Sequence, residues 1–209
     1  MLKIAAIMGV LILVIYFSSK NDRKDEVAAL MENKLSEILK DPRARMEMKQ
    51  KTMQGRAYSY VQAQEGLKHL DLPELIIWND YRIKLAQNHP GYCAAILTGD
   101  FNDDLMMEAY STLTDAEVMG LSELMLEGAK RKLNRVGDSP IPTHVFQEGI
   151  QDILLTLPQD EQDRFAKTLA GPESATEADS CSTSLQLLQG LKNLPEEKKL
   201  VILKTMTQN

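Results

Sequence analysis

Residues 157–161 read LPQDE, and the same pattern returns as LPEEK at residues 194–198, 37 residues further along the chain. The similarity extends beyond these five positions, because Lys-Thr-Leu at 167–169 corresponds to Lys-Thr-Met at 204–206. Proline is tolerated at the first position of a helix, and acidic side chains are stabilised near the positive end of the helix dipole. Each Leu-Pro pair therefore predicts the start of an α-helix.

Apolar helices are expected before both Leu-Pro pairs, over residues 145–155 and 185–191. The C-terminal third is thus predicted to contain a helix, Leu-Pro, helix unit twice. Helical hairpins that recur with such a period can stack as a solenoid. A favourable helix start used twice explains the pattern more simply and is the preferred interpretation. The acidic stretch 171–179 lacks periodicity, so we expect a surface loop between the units.

A further helix and a short apolar segment are predicted earlier in the chain. Leu72-Pro73-Glu74 again resembles a helix start, and the helix it opens is expected to stop at a turn formed by Asn88-His89-Pro90-Gly91. A short apolar segment follows at residues 92–97 and ends at Gly99.

Residues 102–111 are predicted to form another helix, and Thr114 with Glu117 has the capping-box spacing that opens a longer one. A loop is expected near residues 136–142, where glycine and two prolines interrupt the pattern. The aromatic share is only 5%, while eleven methionines and many aliphatic residues fill the apolar positions. This composition favours helix over sheet. The predicted fold class is therefore all-α, a multi-helix bundle.

The N-terminus is predicted to cross a membrane. Residues 4–17 (IAAIMGVLILVIYF) carry no charge, and within residues 1–19 only Lys3 is charged. Nineteen helical residues span about 28 Å, close to the hydrocarbon thickness of about 30 Å. We predict a transmembrane signal-anchor over residues 1–19, a juxtamembrane amphipathic helix over 20–41 and a helical domain over 42–209.

A cleaved secretory signal is the alternative interpretation of the same N-terminal segment. A signal peptidase requires small residues at two positions separated by one, and Tyr16 or Phe17 occupies the first of them in this chain. No cysteine follows the apolar run, so a lipoprotein signal is also disfavoured. The uncleaved anchor is therefore preferred.

Two observations bear on the side of the membrane, and they disagree. Lys20, Arg23 and Lys24 follow the anchor and favour a cytoplasmic domain by the positive-inside rule. Cys93 and Cys181 form an even pair, which is compatible with an oxidising compartment. We give the cysteines more weight and predict a single-pass inner-membrane protein whose domain is periplasmic, or otherwise extracytoplasmic.

Cys93 and Cys181 are the candidate site residues, as a disulfide that joins the middle of the chain to its C-terminal third. Loop-closure entropy predicts a stabilisation of about 4 kcal/mol for a bridge of this span. The other interpretation is two buried free thiols, the state expected in the cytoplasm.

No catalytic, cofactor-binding or metal-binding residue is predicted, and no cofactor is expected. Asp100, Asn102 and Asp104 have the spacing that begins an EF-hand loop, but Leu105 and Ser111 stand where glycine and glutamate are needed. A helix N-cap explains these polar residues better. The histidines show no zinc-binding spacing, and a net charge of -6 disfavours nucleic acid as a partner.

The favoured function is a non-enzymatic protein-interaction module that meets a protein partner at the membrane surface. One version is an immunity or inhibitor protein whose acidic surface complements a basic enzyme cleft. The alternatives are an envelope enzyme of the cell-wall hydrolase class with an unrecognised carboxylate site, and a subunit of a membrane assembly. The sequence predicts no oligomeric state.

Overall fold

The computed structural model describes Lys40, residues 66–133 and residues 142–207. Within this part of the chain all regular structure is helical and no strand occurs, which confirms the all-α class. Two short 3-10 helices, Pro172–Ser174 and Leu191–Asn193, flank the seventh α-helix. The α-helices of the described residues are α1 (Leu72–Asn88), α2 (Pro90–Thr98), α3 (Asp103–Tyr110), α4 (Asp115–Leu133), α5 (Thr143–Thr156), α6 (Gln159–Ala170), α7 (Glu177–Gly190) and α8 (Glu196–Met206).

Several sequence predictions concern residues that the structure does not describe. The anchor over residues 1–19 lies outside the described residues, and so does the juxtamembrane helix over 20–41 apart from Lys40. The loop near 136–142 also lies outside them, except for Pro142, which precedes α5. None of the helices that can be described combines the length and apolar character needed to cross a membrane.

The contacts divide the chain into two units. The larger consists of Asp71–Leu121 and Ser139–Asn209, and the other of Met1–Leu70 and Ser122–Asp138. In the second unit, Gly128 lies directly against the backbone of Gly66, where an added Cβ would come within 2.7 Å of the Gly66 carbonyl group. The larger unit contains both cysteines and the groove at the junction of α1 and α8.

Reciprocal caps begin α1 and α4. The Asp71 carboxylate accepts from the Glu74 N–H at 3.3 Å, and Glu74 accepts from the Asp71 N–H at 3.0 Å. At α4, Glu117 accepts from the Thr114 N–H at 2.9 Å while the Thr114 hydroxyl accepts from the Glu117 N–H at 3.4 Å. These pairs satisfy backbone donors that have no partner inside the helix. The capping box predicted at Thr114 is confirmed.

Both Leu-Pro pairs begin helices with nearly the same backbone geometry. Leu157 and Leu194 are extended, with φ of -80° and -76°, and each following proline is the N-cap residue. Each helix therefore starts at the residue after the proline, whereas the sequence predicted that the proline itself takes the first helical position. The prediction of a helix start at each pair is confirmed, while stacking of these units as a solenoid stays a prediction.

Two predicted loops are shorter in the structure. The prediction of a four-residue turn over residues 88–91 is wrong, because only His89 is non-helical between α1 and α2. Pro90 takes the first position of α2, and His89 Nδ1 accepts from the Tyr92 N–H at 3.1 Å. The loop over 171–179 contains a 3-10 helix and ends at Glu177, where the Thr176 hydroxyl caps α7 by accepting from the Asp179 N–H at 3.1 Å.

Helix α7 is central to the larger unit and packs against α1, α2, α5 and α6. Its buried positions carry small or aliphatic side chains, so neighbouring helices approach closely. At its C-terminal end Gly190 faces Ile153 of α5, and a Cβ at Gly190 would lie 2.7 Å from Ile153 Cγ2. Helix α8 packs against α5 and α1, which brings α1, α7 and α8 together at this end.

Candidate functional site

Cys93 lies near the start of α2, and Cys181 lies near the start of α7. Cys93 and Cys181 have sulfur atoms 2.06 Å apart and Cα atoms 4.7 Å apart. The Cα separation lies within the range of about 4.4 to 6.8 Å that disulfides require. Buried Ala95 on α2 and Ser180 and Ser184 on α7 are small, which permits this close approach. The structure thus places the predicted pair at disulfide distance.

An open groove of about 200 Å³ lies where α1, the 3-10 helix Leu191–Asn193 and α8 meet. Its apolar part is formed by Ile76 together with Leu191 and Leu203, each of the two leucines being only 1% exposed. Charged and amide side chains complete the lining. The lining residues are Ile76, Asn79, Asp80, Leu191, Lys192, Lys199 and Leu203.

The charged side chains give the groove an excess of positive charge. Lys192 Nζ lies 2.9 Å from Asp80 Oδ1, in a pair that is more than half exposed on both sides. Lys199 Nζ donates to the Lys192 carbonyl oxygen at 3.2 Å, and no carboxylate of the described residues pairs with it. Two ammonium groups therefore face one carboxylate, in a chain whose net charge is -6.

Asn79 is the buried polar residue of the groove, with 4% of its surface exposed. Its Nδ2 donates to the Leu188 carbonyl oxygen at 3.0 Å. This carbonyl belongs to the last turn of α7, where intrahelical donors run out, so Asn79 stabilises that helix end. Asn79 Oδ1 accepts no hydrogen bond from the protein, although a buried amide oxygen normally has a partner. The oxygen is itself shielded from solvent, so it is a buried acceptor without a partner rather than one that is open to the groove.

One turn further along α1 lies a second unusual polar residue. Arg82 is 5% exposed, and its guanidinium carbon sits 4.6 Å from the centre of the Trp78 ring, a cation–π distance. Its Nη1 and the Ser184 Oγ of α7 also lack hydrogen-bond partners within the protein. The layer between α1 and α7 is therefore more polar than an ordinary helical core.

Two ion pairs link helices away from the groove. Lys84 of α1 hydrogen-bonds Glu117 of α4, and this contact, helped by donors from Thr114, lowers the pKa of Glu117 to about 2. Lys198 of α8 donates to Asp152 of α5 at 2.8 Å, which together with Glu148 raises the pKa of the lysine. These pairs position helices rather than form a reactive centre.

The polar residues that suggested an incomplete calcium loop act at a helix start. Asn102 Oδ1 accepts from the Leu105 N–H at 2.8 Å and caps α3, as the N-cap interpretation predicted. His89 caps α2 and lies 3.4 Å from Glu108 Oε2, whereas His144 is exposed. Within the described part of the chain, no three histidine, cysteine or acidic side chains converge as metal ligands.

Sequence reasoning missed the groove residues, and only one of them left a visible signal. Asn79 occupies the same face of α1 as buried Leu75 and Ala86. A polar residue within an apolar stripe is visible in the sequence and could have marked Asn79 as unusual. Lys192 and Lys199 come from a 3-10 helix and from α8, more than a hundred residues later. Their approach to α1 depends on tertiary packing, which no local pattern reveals.

No protein-family model matches the chain, and no curated protein and no solved structure is significantly similar to it. The fold and the site define a helical domain with a cysteine pair at disulfide distance and a small groove of apolar and basic side chains. Function is therefore inferred from the residues of this chain alone.

Proposed function

We propose that this chain is a single-pass envelope protein, anchored by residues 1–19, whose helical domain lies outside the cytoplasm and binds another protein there. The domain acts as an interaction module without enzymatic activity of its own. An inhibitor or immunity protein is one version of this function. The observation that carries the proposal is the Cys93–Cys181 pair, which lies at disulfide distance and holds α2 against α7.

The cysteine pair supports the extracytoplasmic location. Disulfides persist in secreted and periplasmic proteins and are rare in the cytoplasm, where thiols are kept reduced. The uncharged run at residues 4–17 supports the anchor. Together they favour a domain held at the outer face of the inner membrane, despite the basic residues at positions 20, 23 and 24 that follow the run.

The groove supports protein binding better than catalysis on a small molecule. Its volume of about 200 Å³ is below the roughly 300 to 1,000 Å³ of small-molecule sites. Apolar side chains at the centre with charged residues at the edge resemble the anatomy of a protein interface. Ile77, the next residue of α1, is a large apolar side chain that is 49% exposed. A segment of a partner protein fits these features.

Site-specific photocrosslinking in intact cells tests the proposal. A photoreactive residue at Ile76, which lines the groove, should give a discrete higher-mass product in the envelope fraction. The matched control carries it at Glu173, which is exposed on the 3-10 helix Pro172–Ser174 and does not line the groove. If both positions give only the uncrosslinked chain, the interaction function is wrong.

A further inference from the structure

We infer that one face of α5 and α6 binds an amphipathic helix of another protein. We call it the α5–α6 face, and it consists of Leu154, Leu155, Gln162 and Ala166. The counterparts of these positions, 37 residues further along the chain, are Leu191, Lys192, Lys199 and Leu203, which line the groove beside α1. The inference goes beyond the proposed function, because it concerns a surface other than the groove.

The two Leu-Pro units repeat in structure as well as in sequence. The Leu157 N–H donates to the Leu154 carbonyl oxygen at 3.1 Å, and 37 residues later the Leu194 N–H donates to that of Leu191 at 3.2 Å. The prolines that follow have φ values of -54° and -56°. Positions 37 residues apart are therefore equivalent in space as well as in sequence.

The contacts between the two units are reciprocal. Gly149 of α5 lies against Lys198 of α8, where an added Cβ would be 3.4 Å from the lysine Cβ. The counterparts of these two positions also meet, because Gln186 Nε2 of α7 donates to Glu161 Oε2 of α6. Residue pairs that meet in both directions are the pattern of a two-fold axis. Each unit therefore presents an equivalent face to its surroundings.

A described helix covers one of the two equivalent faces. On the second unit α1 packs against α7 and α8, and Leu191 and Leu203 are each only 1% exposed. On the first unit their counterparts are less protected, since Leu154 is half-buried and Ala166 is exposed. Leu155 beside them is 63% exposed, although it is a large apolar residue. The α5–α6 face thus exposes apolar side chains at positions where the equivalent face carries a packed helix.

The covered face indicates the kind of helix that the α5–α6 face binds. Helix α1 contributes Ile76 to the groove and, one turn later, Asp80, which pairs with Lys192 at 2.9 Å. The counterpart of Lys192 on the α5–α6 face is Leu155. A helix bound there is therefore expected to carry apolar residues at both positions. Residues four apart lie on the same side of a helix, so the partner is amphipathic.

The other two members of the α5–α6 face make it neutral and less bulky than its counterpart. Gln162 stands where the second unit has Lys199, and its Nε2 donates to the Leu157 carbonyl oxygen at 2.9 Å. Ala166 stands where that unit has Leu203, which leaves space for a larger side chain of the bound helix. An apolar centre with a polar edge is the usual anatomy of a protein interface.

Methyl NMR on the full chain in detergent micelles tests the inference with two synthetic peptides of residues 71–88, the α1 segment. One peptide is unchanged and the other carries Asp80→Leu. We expect the Asp80→Leu peptide to shift the Leu154 and Leu155 methyl signals saturably and to leave Val145, a buried residue of α5, unshifted. The unchanged peptide should bind about tenfold more weakly, because a carboxylate replaces an apolar contact with Leu155.

A lysine variant of the chain should change this preference. Leu155→Lys gives the α5–α6 face the charge that Lys192 supplies on the other unit, so the unchanged peptide gains an ion pair. Exposed ion pairs are weak, and we expect the two peptides to bind this variant within about threefold of each other. Gln87→Lys adds the same charge at an exposed position of α1 and should keep the tenfold preference.

Three results of the titration would each overturn the inference. They are the absence of saturable shifts at Leu154 and Leu155, equal affinity of the wild-type chain for both peptides, and a tenfold preference that survives Leu155→Lys. Shifts of these signals with chain concentration, without any peptide, would assign the face to a second copy and overturn the inference as well. Crosslinking at Ile76 reports on the groove, so its result is independent of this titration.

Discussion

The two ends of α7 are stabilised in different ways. Near its start, Cys181 meets Cys93 of α2 at disulfide distance, and Ser180 beside it is 1% exposed. Near its end, Asn79 holds the Leu188 carbonyl by one hydrogen bond at 3.0 Å, and the groove opens between neighbouring helices. We call these the cysteine end and the groove end. One end of the helix is thus positioned by a cysteine pair and the other by a side-chain hydrogen bond and close packing, so substitutions can separate the two contributions to stability.

The cysteine end should dominate stability. Replacing both cysteines, Cys93→Ser with Cys181→Ser, is expected to lower the free energy of unfolding by about 4 kcal/mol, because the 88-residue loop is no longer closed in the unfolded chain. Denaturant unfolding followed by the fluorescence of Trp78, the single tryptophan, measures this. Reductant should destabilise wild type and leave the double variant unchanged. If the free energies of unfolding of wild type and the double variant differ by no more than about 0.5 kcal/mol, as is typical of surface substitutions, the cysteine end does not dominate stability.

The groove end depends on close helix packing, which Gly190→Ala should disturb. A Cβ there meets Ile153 Cγ2 at 2.7 Å, and overpacking typically costs about 1 to 3 kcal/mol, against a helix-propensity gain of about 1 kcal/mol for alanine. We expect a net loss of about 1 kcal/mol in the free energy of unfolding, measured by the same denaturation.

Ile153→Leu provides the matched rescue, because leucine lacks the Cγ2 atom that the new Cβ would meet. In the double variant, Gly190→Ala should cost less than it does alone, which is a coupling expected only for residues in contact. Additive effects of the two substitutions would show that α5 and α7 do not approach closely at Gly190.

The contact between Lys84 of α1 and Glu117 of α4, which lies away from both ends of α7, is expected to make a pH-dependent contribution to the free energy of unfolding. Lys84 lowers the pKa of Glu117 from 4.5 to about 2, so this carboxylate favours the folded state when it is ionised. Its contribution is complete above pH 4.5 and is lost as the pH falls towards 2, because the unfolded state then binds the proton more strongly. Glu117→Gln should lower the urea midpoint slightly at pH 7.

The control for this prediction is the same variant at low pH. The gap between the urea midpoints of wild type and Glu117→Gln should close between pH 4.5 and 2. A gap that stays constant over this interval would mean that the charge of Glu117 has no role in stabilising the contact between α1 and α4.

The smallest effect on stability is expected from Lys199→Met at the groove end. Lys199 makes one hydrogen bond, to the Lys192 carbonyl oxygen, and surface changes of this kind usually stay within about 0.5 kcal/mol. The variant should therefore unfold like wild type. A loss of stability comparable to that of Gly190→Ala would make Lys199 a structural residue.

Local patterns in the sequence predicted the helix starts well and the tertiary site poorly. The Leu-Pro pairs and the Thr114 cap depend on neighbouring residues. The short apolar segment predicted to end at Gly99 is in fact helix α2, and its C-cap Gly99 has a φ of 76°. The turn at residues 88–91 was wrong because Pro90 suits the first position of a helix as well as a turn. The Cys93–Cys181 pairing had no competitor, since the chain has two cysteines.

The groove could not be derived in this way. Its sides come from α1 and from residues 191–203, and only packing around α7 brings them together. Sequence reasoning assigned partner recognition to the acidic surface of the chain, whereas the groove carries an excess of positive charge. A lysine without a carboxylate partner becomes visible only when its neighbours are known.

Thiol accessibility in intact cells tests whether Cys93 and Cys181 are joined and the domain lies outside the cytoplasm. Cells that express the full chain are quenched with acid, denatured and treated with a maleimide-polyethylene glycol reagent, with or without prior reduction. We expect no adduct without reductant and two adducts after reduction, because Cys93 and Cys181 are joined. Cys93→Ser should give one adduct in both conditions and so validates the labelling. Two adducts on the wild-type chain without reductant would show that the thiols are free and would place the domain in a reducing compartment.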